Sequence, residues 1–138
     1  MSWTGVIGRL TSAMNAHDLD AFVDCFDPDY DSEQPAHPDR HFTGREQVRQ
    51  NWSAMFAGLP DFHAEVLRAT GDDDTAWVEW HWTGTRGDGS SLNARGACIF
   101  GIRDHRVAWG RLYMEDVQDG PGIDAAVASL ATPKSGNS

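Results

Sequence analysis

The chain has 138 residues, of which 40% are hydrophobic, and its formal net charge at pH 7 is −10. This length and hydrophobic content suffice for one good core, so the sequence indicates a single globular domain rather than a disordered chain. The acidic balance argues against binding to nucleic acid or to an anionic membrane surface, which need basic patches. The sequence also lacks the apolar run of roughly 18 residues that a membrane span requires.

Targeting signals and cysteine usage give a first indication of where the protein works. The N-terminal stretch MSWTGVIGRL has neither a basic n-region nor a long apolar h-region, so no signal peptide is predicted. Cys25 and Cys98 lie far apart among apolar neighbours, which is typical of reduced, buried thiols and favours a cytoplasmic location. Six tryptophans are many for this length, and they predict a large core or a ligand site.

The N-terminal half is predicted to contain three helices and one irregular segment. Apolar residues at helical spacing from Trp3 to Met14 predict the first helix, and Asp18 is a good N-cap for a second, shorter one. The segment from Tyr30 to His41 contains two prolines, so at most a short edge strand is expected there. Thr43-Gly-Arg-Glu46 has the pattern of a capping box, which predicts the start of the third helix. The buried stripe of that helix is expected at Val48, Trp52, Met55 and Leu59.

The C-terminal half is predicted to contain four strands joined by tight turns. The strands are expected at residues 62–69, 75–85, 91–103 and 106–116, followed by a small helix at 123–130. Helices followed by hairpin-linked strands predict an α+β domain over residues 1–131, with a frayed tail at 132–138. An antiparallel sheet curled over three N-terminal helices would form a cone whose open mouth binds a ligand.

The last predicted strand, Arg106 to Asp116, presents two different faces. One face carries small or apolar side chains, as a packed face should. The other carries Trp109, Arg111, Tyr113 and Glu115, and a solvent-exposed face rarely needs a Trp and a Tyr around an Arg. We therefore predict that this second face is a pocket wall. The hydrophobic depth of the pocket is expected to be lined by Trp52, Met55 and Trp109.

Five local motifs resemble those of a known family. They are Asp18-Leu19-Asp20-Ala21-Phe22, Phe42-Thr-Gly-Arg45, Trp80-His-Trp-Thr-Gly-Thr85, Ile99-Phe-Gly-Ile-Arg-Asp104 and Val107-Ala-Trp-Gly-Arg111. Together with the order of elements, they resemble the NTF2-like superfamily and, within it, the SnoaL-like branch of polyketide cyclases and limonene-epoxide-hydrolase relatives. The resemblance spans roughly residues 3 to 117 and implies a cone that often forms homodimers through its outer sheet face. It implies less about activity, because this fold hosts isomerases, cyclases, hydrolases and non-enzymatic binders.

The acids of the resembled enzymes are missing from their usual positions. The ketosteroid isomerases of this superfamily place a general-base Asp on the short strand after the second helix, where this chain has Gln34. Glutamine cannot accept the proton. The cyclases and epoxide hydrolases carry Asp residues on late strands, whereas the expected cavity face of the third long strand offers Asn93, Arg95, Ala97 and Ile99.

Three charged residues lie mid-strand on consecutive predicted strands: Glu79, Arg95 and Arg111. Charges buried beside tryptophans must be paired. A desolvated Glu beside an Arg can position a water or bind a polar substrate group, and the alternative is a salt-bridge network that only fixes strand register. The sequence leaves open whether the set containing Glu79 and His81 or the set containing Trp80 faces the pocket.

There are four further candidates. Glu33 and His37 are expected near the pocket mouth, and Tyr113 and Glu115 complete the pocket face of the last strand. Histidine titrates near neutral pH, a tyrosine hydroxyl can donate to a carbonyl or epoxide oxygen, and a glutamate can accept a proton. The alternatives are an exposed loop histidine, a core tyrosine and a rim glutamate. His37 and His41 have a spacing that suits metal ligands on a helix, but the neighbouring prolines disfavour a helix, so no metal is predicted.

These residues predict a cytoplasmic SnoaL-like enzyme that acts on a hydrophobic small molecule without a metal or organic cofactor. The expected chemistry is acid/base cyclisation, isomerisation or epoxide opening. The alternative is a binding module without catalysis, which the missing Asp residues favour. The predicted catalytic residues are His37, Glu79, Arg95, Arg111, Tyr113 and Glu115, and the predicted substrate-binding residues are Glu33, Trp52, Met55, His81 and Trp109.

Overall fold

The computed structural model describes residues 2–134, in which four α-helices accompany one six-stranded sheet. The helices are Trp3–Ala16 (α1), Leu19–Asp24 (α2), Arg45–Gly58 (α3) and Ile123–Ala131 (α4). The strands are Phe26–Glu33 (β1), Phe42–Thr43 (β2), His63–Gly71 (β3), Thr75–Thr85 (β4), Ser91–Arg103 (β5) and Arg106–Asp116 (β6). The α+β class is confirmed. Residues 135–138 of the predicted tail lie outside the described residues.

The strands follow the order β2-β1-β6-β5-β4-β3 across the sheet. Strands β3 to β6 form the expected antiparallel meander, but β1 and β6 are parallel neighbours, so the expectation of a wholly antiparallel sheet is wrong. A parallel pair needs a long connection between its strands. Here α3 and the meander supply that connection, which brings the first and last long strands together.

Strand β1 is longer and more central than the sequence predicts. It occupies Phe26–Glu33 between β2 and β6, where an irregular segment or a short edge strand was expected. Pro28 is tolerated because the β1–β6 register shifts between Phe26 and Asp31, so the missing N–H removes no ladder hydrogen bond there. This correction matters for the site, because β1 supplies polar side chains to the interior.

The start of α3 also differs from the prediction. Thr43 pairs with Asp31 in the β1–β2 ladder, and the N-cap is Gly44, without a capping side chain. Gly44 has φ 92°, a backbone conformation that glycine adopts without strain. The Asp18 cap of α2 is confirmed, because its carboxylate accepts a hydrogen bond from the Ala21 N–H at 3.1 Å.

The exposure of side chains along strand β4 shows which face of the sheet is the inner one. Val78 and Trp80 are 1% exposed, whereas Trp77 on the opposite face is 52% exposed. Trp80 and its apolar neighbours therefore face the helices, and Glu79 lies on the outer face. Strict alternation along β6 would put Val107 on the same face as Trp109, but Val107 is fully buried. The β5–β6 register shifts between Gly101 and Ile102, next to this residue.

The core lies between this inner face and helices α1 to α3. Leu10 and Met14 of α1 are 2% exposed and belong to one cluster with Phe22 of α2, Val48 of α3 and Trp80. Within residues 2–134, no helix combines the length and hydrophobicity that crossing a membrane requires.

Candidate functional site

A cavity of about 200 Å³ lies between the helices and the inner face of the sheet. Because a cavity of roughly 150 Å³ can hold benzene, this one has room for a compound of one or two rings. Trp52 and Met55, both predicted to bind substrate, line it. The apolar wall also includes Phe22, Phe26, Trp80, Trp82, Phe100 and Leu112, and the polar lining residues are Tyr30, Ser32, Gln34 and Asn51.

Trp52 of α3 is the centre of the aromatic wall. Its ring meets Trp82 and Phe62 edge-on, at centroid distances of 5.6 Å and 5.4 Å, and lies 4.7 Å from Phe22. Edge-to-face and tilted arrangements of this kind are favourable for aromatic pairs. They hold the wall of the cavity in one shape from three sides, so a flat apolar ligand meets a preformed surface.

Strand β1 supplies the polar groups of the cavity through its alternation. Tyr30 and Ser32 are 3% and 2% exposed, and Gln34, just beyond the strand, continues the same face. Burial raises the pKa of the Tyr30 phenol far above its ordinary value, although the Ser32 hydroxyl lies within hydrogen-bonding reach. A Cβ on Gly110 would lie 2.5 Å from the Tyr30 hydroxyl oxygen, so this approach requires glycine. The phenol therefore stays protonated and fixed in place.

Both cysteines are free and buried, as predicted. Cys98 lines the cavity, and burial raises the pKa of its thiol to about 12. Burial also raises the pKa of the Cys25 thiol. Because the thiolate is the reactive form, neither residue is set up as a nucleophile.

Most of the predicted catalytic side chains lie on the outer face of the sheet, so the prediction that they line the cavity is wrong. Their carriers β4, β5 and β6 place Trp80, Cys98 and Leu112 inside instead. Burying an unpaired charge costs far more than leaving an aromatic ring half-exposed, which decides the orientation. The outer-face residues are Glu79, His81, Arg95, Trp109, Arg111 and Tyr113, with Glu33 beside them on β1.

The outer charges form two separate clusters instead of one. Glu79 pairs with Arg68 at 3.0 Å and with Arg95 at 3.6 Å. Arg111 instead bonds Glu33 at 2.8 Å and Asp31 at 3.3 Å.

The second cluster also contains aromatic and histidine partners. The Arg111 guanidinium lies 5.2 Å from the centre of the Trp109 ring, an arrangement suited to a cation–π interaction. His41 Nε2 lies 2.7 Å from an oxygen of the same Asp31 that Arg111 contacts. His81 hydrogen-bonds Asn93 at 2.6 Å and belongs to neither cluster. Of these residues, Arg111 joins the two strands, because it bonds Asp31 and Glu33 of β1 from β6.

We expect replacement of Arg111 by methionine to lower the free energy of unfolding by about 1 kcal/mol, since Asp31 and Glu33 would lose their shared cation. Urea unfolding at low and high salt measures this loss, which screening should reduce at high salt. The matched control is Arg95→Met, which breaks a longer pair of 3.6 Å and should cost less. Equal losses of unfolding free energy in the two variants would contradict the inference that the ion pairs of Arg111 stabilise the fold more than that of Arg95.

The mouth of the cavity brings together two predicted catalytic residues that are far apart in sequence. His37 Nε2 lies 2.7 Å from Glu115 Oε1, and Arg40 donates to the Gln34 Oε1 at 2.9 Å. A groove of about 250 Å³ is lined by Gln34, Arg40 and Glu115, and it shares Gln34, Met55, Trp82 and Leu112 with the cavity. The cavity therefore opens beside the His37–Glu115 pair.

The two histidines of the loop have different partners. His37 pairs with Glu115 on β6, whereas His41 pairs with Asp31 on β1. In the described part of the chain, no three His, Cys, Asp or Glu residues are grouped so as to hold a metal ion.

A six-stranded sheet packed on helices around an apolar cavity is the NTF2-like class of fold. Residues 7–109 match the model of the SnoaL-like domain family. Since this match covers most of the chain, the protein belongs to the SnoaL-like family, as the sequence motifs predicted. No curated protein matches the chain at a significant level.

Solved structures show the same fold at low sequence identity. A candidate SnoaL-like polyketide cyclase from Jannaschia sp. CCS1 is 20% identical and has a TM-score of 0.69, with 94% of this chain and 92% of that chain covered. A candidate polyketide cyclase from Sinorhizobium meliloti is 25% identical with a TM-score of 0.62, covering 80% and 94%. An LEH-like epoxide hydrolase from M. tuberculosis is 15% identical with a TM-score of 0.69, covering 80% of each chain.

Proposed function

We propose that the chain binds an uncharged, hydrophobic ring compound in its cavity and performs acid/base chemistry on it at the mouth. The reaction class is cyclisation, isomerisation or epoxide opening, without a metal or organic cofactor. The observation that carries the proposal is an aromatic cavity with neutral polar groups that opens beside the His37–Glu115 pair. The polyketide cyclases and epoxide hydrolase of the same fold support this reaction class.

The lining of the cavity favours an uncharged ligand. Among residues 2–134, those that line the cavity include no Asp, Glu, Lys, Arg or His. A charged ligand would lose its hydration there without gaining a counter-charge, which is strongly unfavourable. The phenol of Tyr30 and the thiol of Cys98 stay neutral, because burial raises the pKa of both.

The pair at the mouth supports a proton-transfer role. A carboxylate can only accept hydrogen bonds, so the neutral imidazole of His37 carries its proton on Nε2, toward Glu115. The other ring nitrogen, Nδ1, then has a free lone pair and can accept a proton from the ligand. Both side chains are partly exposed, at 37% and 58%, so they can return the proton to water.

A binding module without catalysis is the second candidate. The absence of a carboxylate or a histidine from the described cavity wall favours it, because the family's enzymes use an acid inside the cone. The two candidates predict the same ligand class and differ only in turnover.

We expect the neutral ketone α-tetralone to quench the tryptophan fluorescence on binding, and tetralin carboxylate to bind at least about 100-fold more weakly. Acid/base activity is read by NMR in heavy water, as exchange of the protons next to the tetralone carbonyl above the buffer rate. His37→Ala should remove that exchange and leave binding unchanged, since His37 lies outside the cavity lining.

The outcomes separate the candidates. Binding without accelerated exchange supports the module that only binds. Equal affinity for the neutral and the charged compound would sink the proposal of an uncharged ligand.

We propose a second copy of this chain as the protein partner. Trp77 and Tyr113 on the outer face are 52% and 43% exposed, and arginines and carboxylates surround them. Aromatic residues with mixed charges at the edge are typical of a protein interface. Size-exclusion chromatography with light scattering tests this partner, and Trp77→Glu should convert a dimer to monomers.

A further inference from the structure

We infer that Gln34 presents its amide N–H group to the cavity as the donor for a ligand oxygen, and that Arg40 fixes this orientation. The ligand class is thereby narrowed to ring compounds that carry a hydrogen-bond acceptor, such as a carbonyl or ether oxygen. The inference deepens the proposed function and rests on it.

The position of Gln34 follows from strand β1. Tyr30 and Ser32 face the interior, and Gln34 continues their alternation one step beyond the end of the strand. Its half-buried side chain lines both the cavity and the groove at the mouth. A ligand that fills the cavity up to its opening therefore reaches this amide.

The orientation of the Gln34 amide is set by chemistry. A glutamine amide has an accepting oxygen and a donating nitrogen, whereas a guanidinium has only donors. Arg40 Nη1 lies 2.9 Å from the amide oxygen of Gln34, so the oxygen must face Arg40. The amide nitrogen then points away from Arg40, and no described residue accepts a hydrogen bond from it.

The other amide and hydroxyl groups of the cavity are less well suited to this role. Ser32 and Tyr30 lie within hydrogen-bonding reach of each other. The Asn51 oxygen accepts from Gln47 at 2.8 Å, but two amides can pair in either sense, so this contact does not fix which end of Asn51 is free. Gln34 differs from Asn51 because its partner, the Arg40 guanidinium, can only donate hydrogen bonds and therefore fixes which end of the amide faces the cavity.

The test is a cycle of two ligands and two proteins. α-Tetralone and tetralin differ by one carbonyl oxygen, and Gln34→Leu removes the amide while keeping a side chain of similar bulk. We expect this substitution to weaken tetralone binding about tenfold relative to tetralin binding, the equivalent of one net hydrogen bond. Affinities come from titration of tryptophan fluorescence, and Gln50→Leu on the exposed side of α3 is the matched control.

Two variants of Arg40 test the positioning role. Arg40→Leu leaves Gln34 in place but removes the partner of its amide oxygen, so the amide can turn either way. The ratio of tetralone affinity to tetralin affinity should therefore fall by a few fold. Arg40→Lys should restore the preference, because an ammonium group also only donates. A purely structural role for Arg40 would change the binding of both ligands equally.

Each outcome of the cycle decides a separate question. If Gln34→Leu binds tetralin normally and keeps the wild-type ratio of the two affinities, the inference is overturned. If neither compound binds the wild-type protein, the proposed function fails, and the inference fails with it.

Discussion

Replacing Trp80 by alanine will lower the free energy of unfolding by about 3–5 kcal/mol. The Trp80 side chain is 1% exposed in the centre of the sheet, and its cross-strand partner on β5 is Gly96, which has no side chain to fill the space left behind. The new void would merge with the existing cavity, so collapse around it is restricted. Chemical denaturation measures the loss, and the transition should stay cooperative.

Trp77→Ala is the matched control for this prediction. It removes the same side chain from the same strand, three residues away and on the outer face, where Trp77 is 52% exposed. At a protein concentration low enough for the chain to be monomeric, we expect a loss below about 1 kcal/mol, which is typical of surface positions. Equal losses for the two tryptophans would mean that the inner and outer faces of β4 have been assigned wrongly.

The Cys98 thiol of the native protein will react with a thiol reagent at least about a thousandfold more slowly than a free cysteine near pH 8. Burial raises its pKa from 9.0 to about 12, which lowers the fraction of thiolate by about that factor. Labelling must in addition wait for the structure to open, since the side chain is 1% exposed. Absorbance after mixing with a chromogenic disulfide measures the rate, and both cysteines should react at once in guanidinium chloride.

Because of the same raised pKa, the free energy of unfolding depends on pH in the alkaline range. The unfolded chain releases the Cys98 proton near its ordinary value of 9.0, whereas the folded protein keeps it up to about 12. Unfolding therefore releases a proton in this window, and stability falls as the pH rises through it. Cys98→Ala should flatten that fall. Rapid, complete labelling of the folded protein near neutral pH would refute the buried setting of this thiol.

The long strands could be predicted from the sequence because their signals are local. Turn residues at 71–74 and 86–90 separate runs that alternate in polarity, and strands β4, β5 and β6 have the predicted bounds. The inward face of β4 could not be predicted, because Trp77 on one side and Trp80 on the other both read as buried. The apolar stripes of α1 to α3 decide it, and their docking on the sheet is a long-range property.

The candidate site was predictable only in pieces. His37 and Glu115 each carry suitable chemistry, but their contact depends on the parallel neighbours β1 and β6, which no local pattern reveals. Tyr30, Ser32 and Gln34 were missed as a lining because Pro35 and Pro38 made the segment from Tyr30 to His41 look irregular. The alternation of these three polar or aromatic residues was the available signal, and it predicts a strand once one is allowed to end before those prolines.

The pairing of β1 with β6 has a consequence for synthesis of the chain on the ribosome. Asp31 and Arg111, which tie the two strands together, are 80 residues apart. β1 leaves the ribosome early and stays without its main partner until the last strand emerges. Because closing so long a loop costs entropy before any contact forms, we expect the nascent chain to remain open until β6 is available. During that interval β2 can pair with one edge of β1, but the edge that β6 later covers is unpaired, which is when a chaperone is needed most.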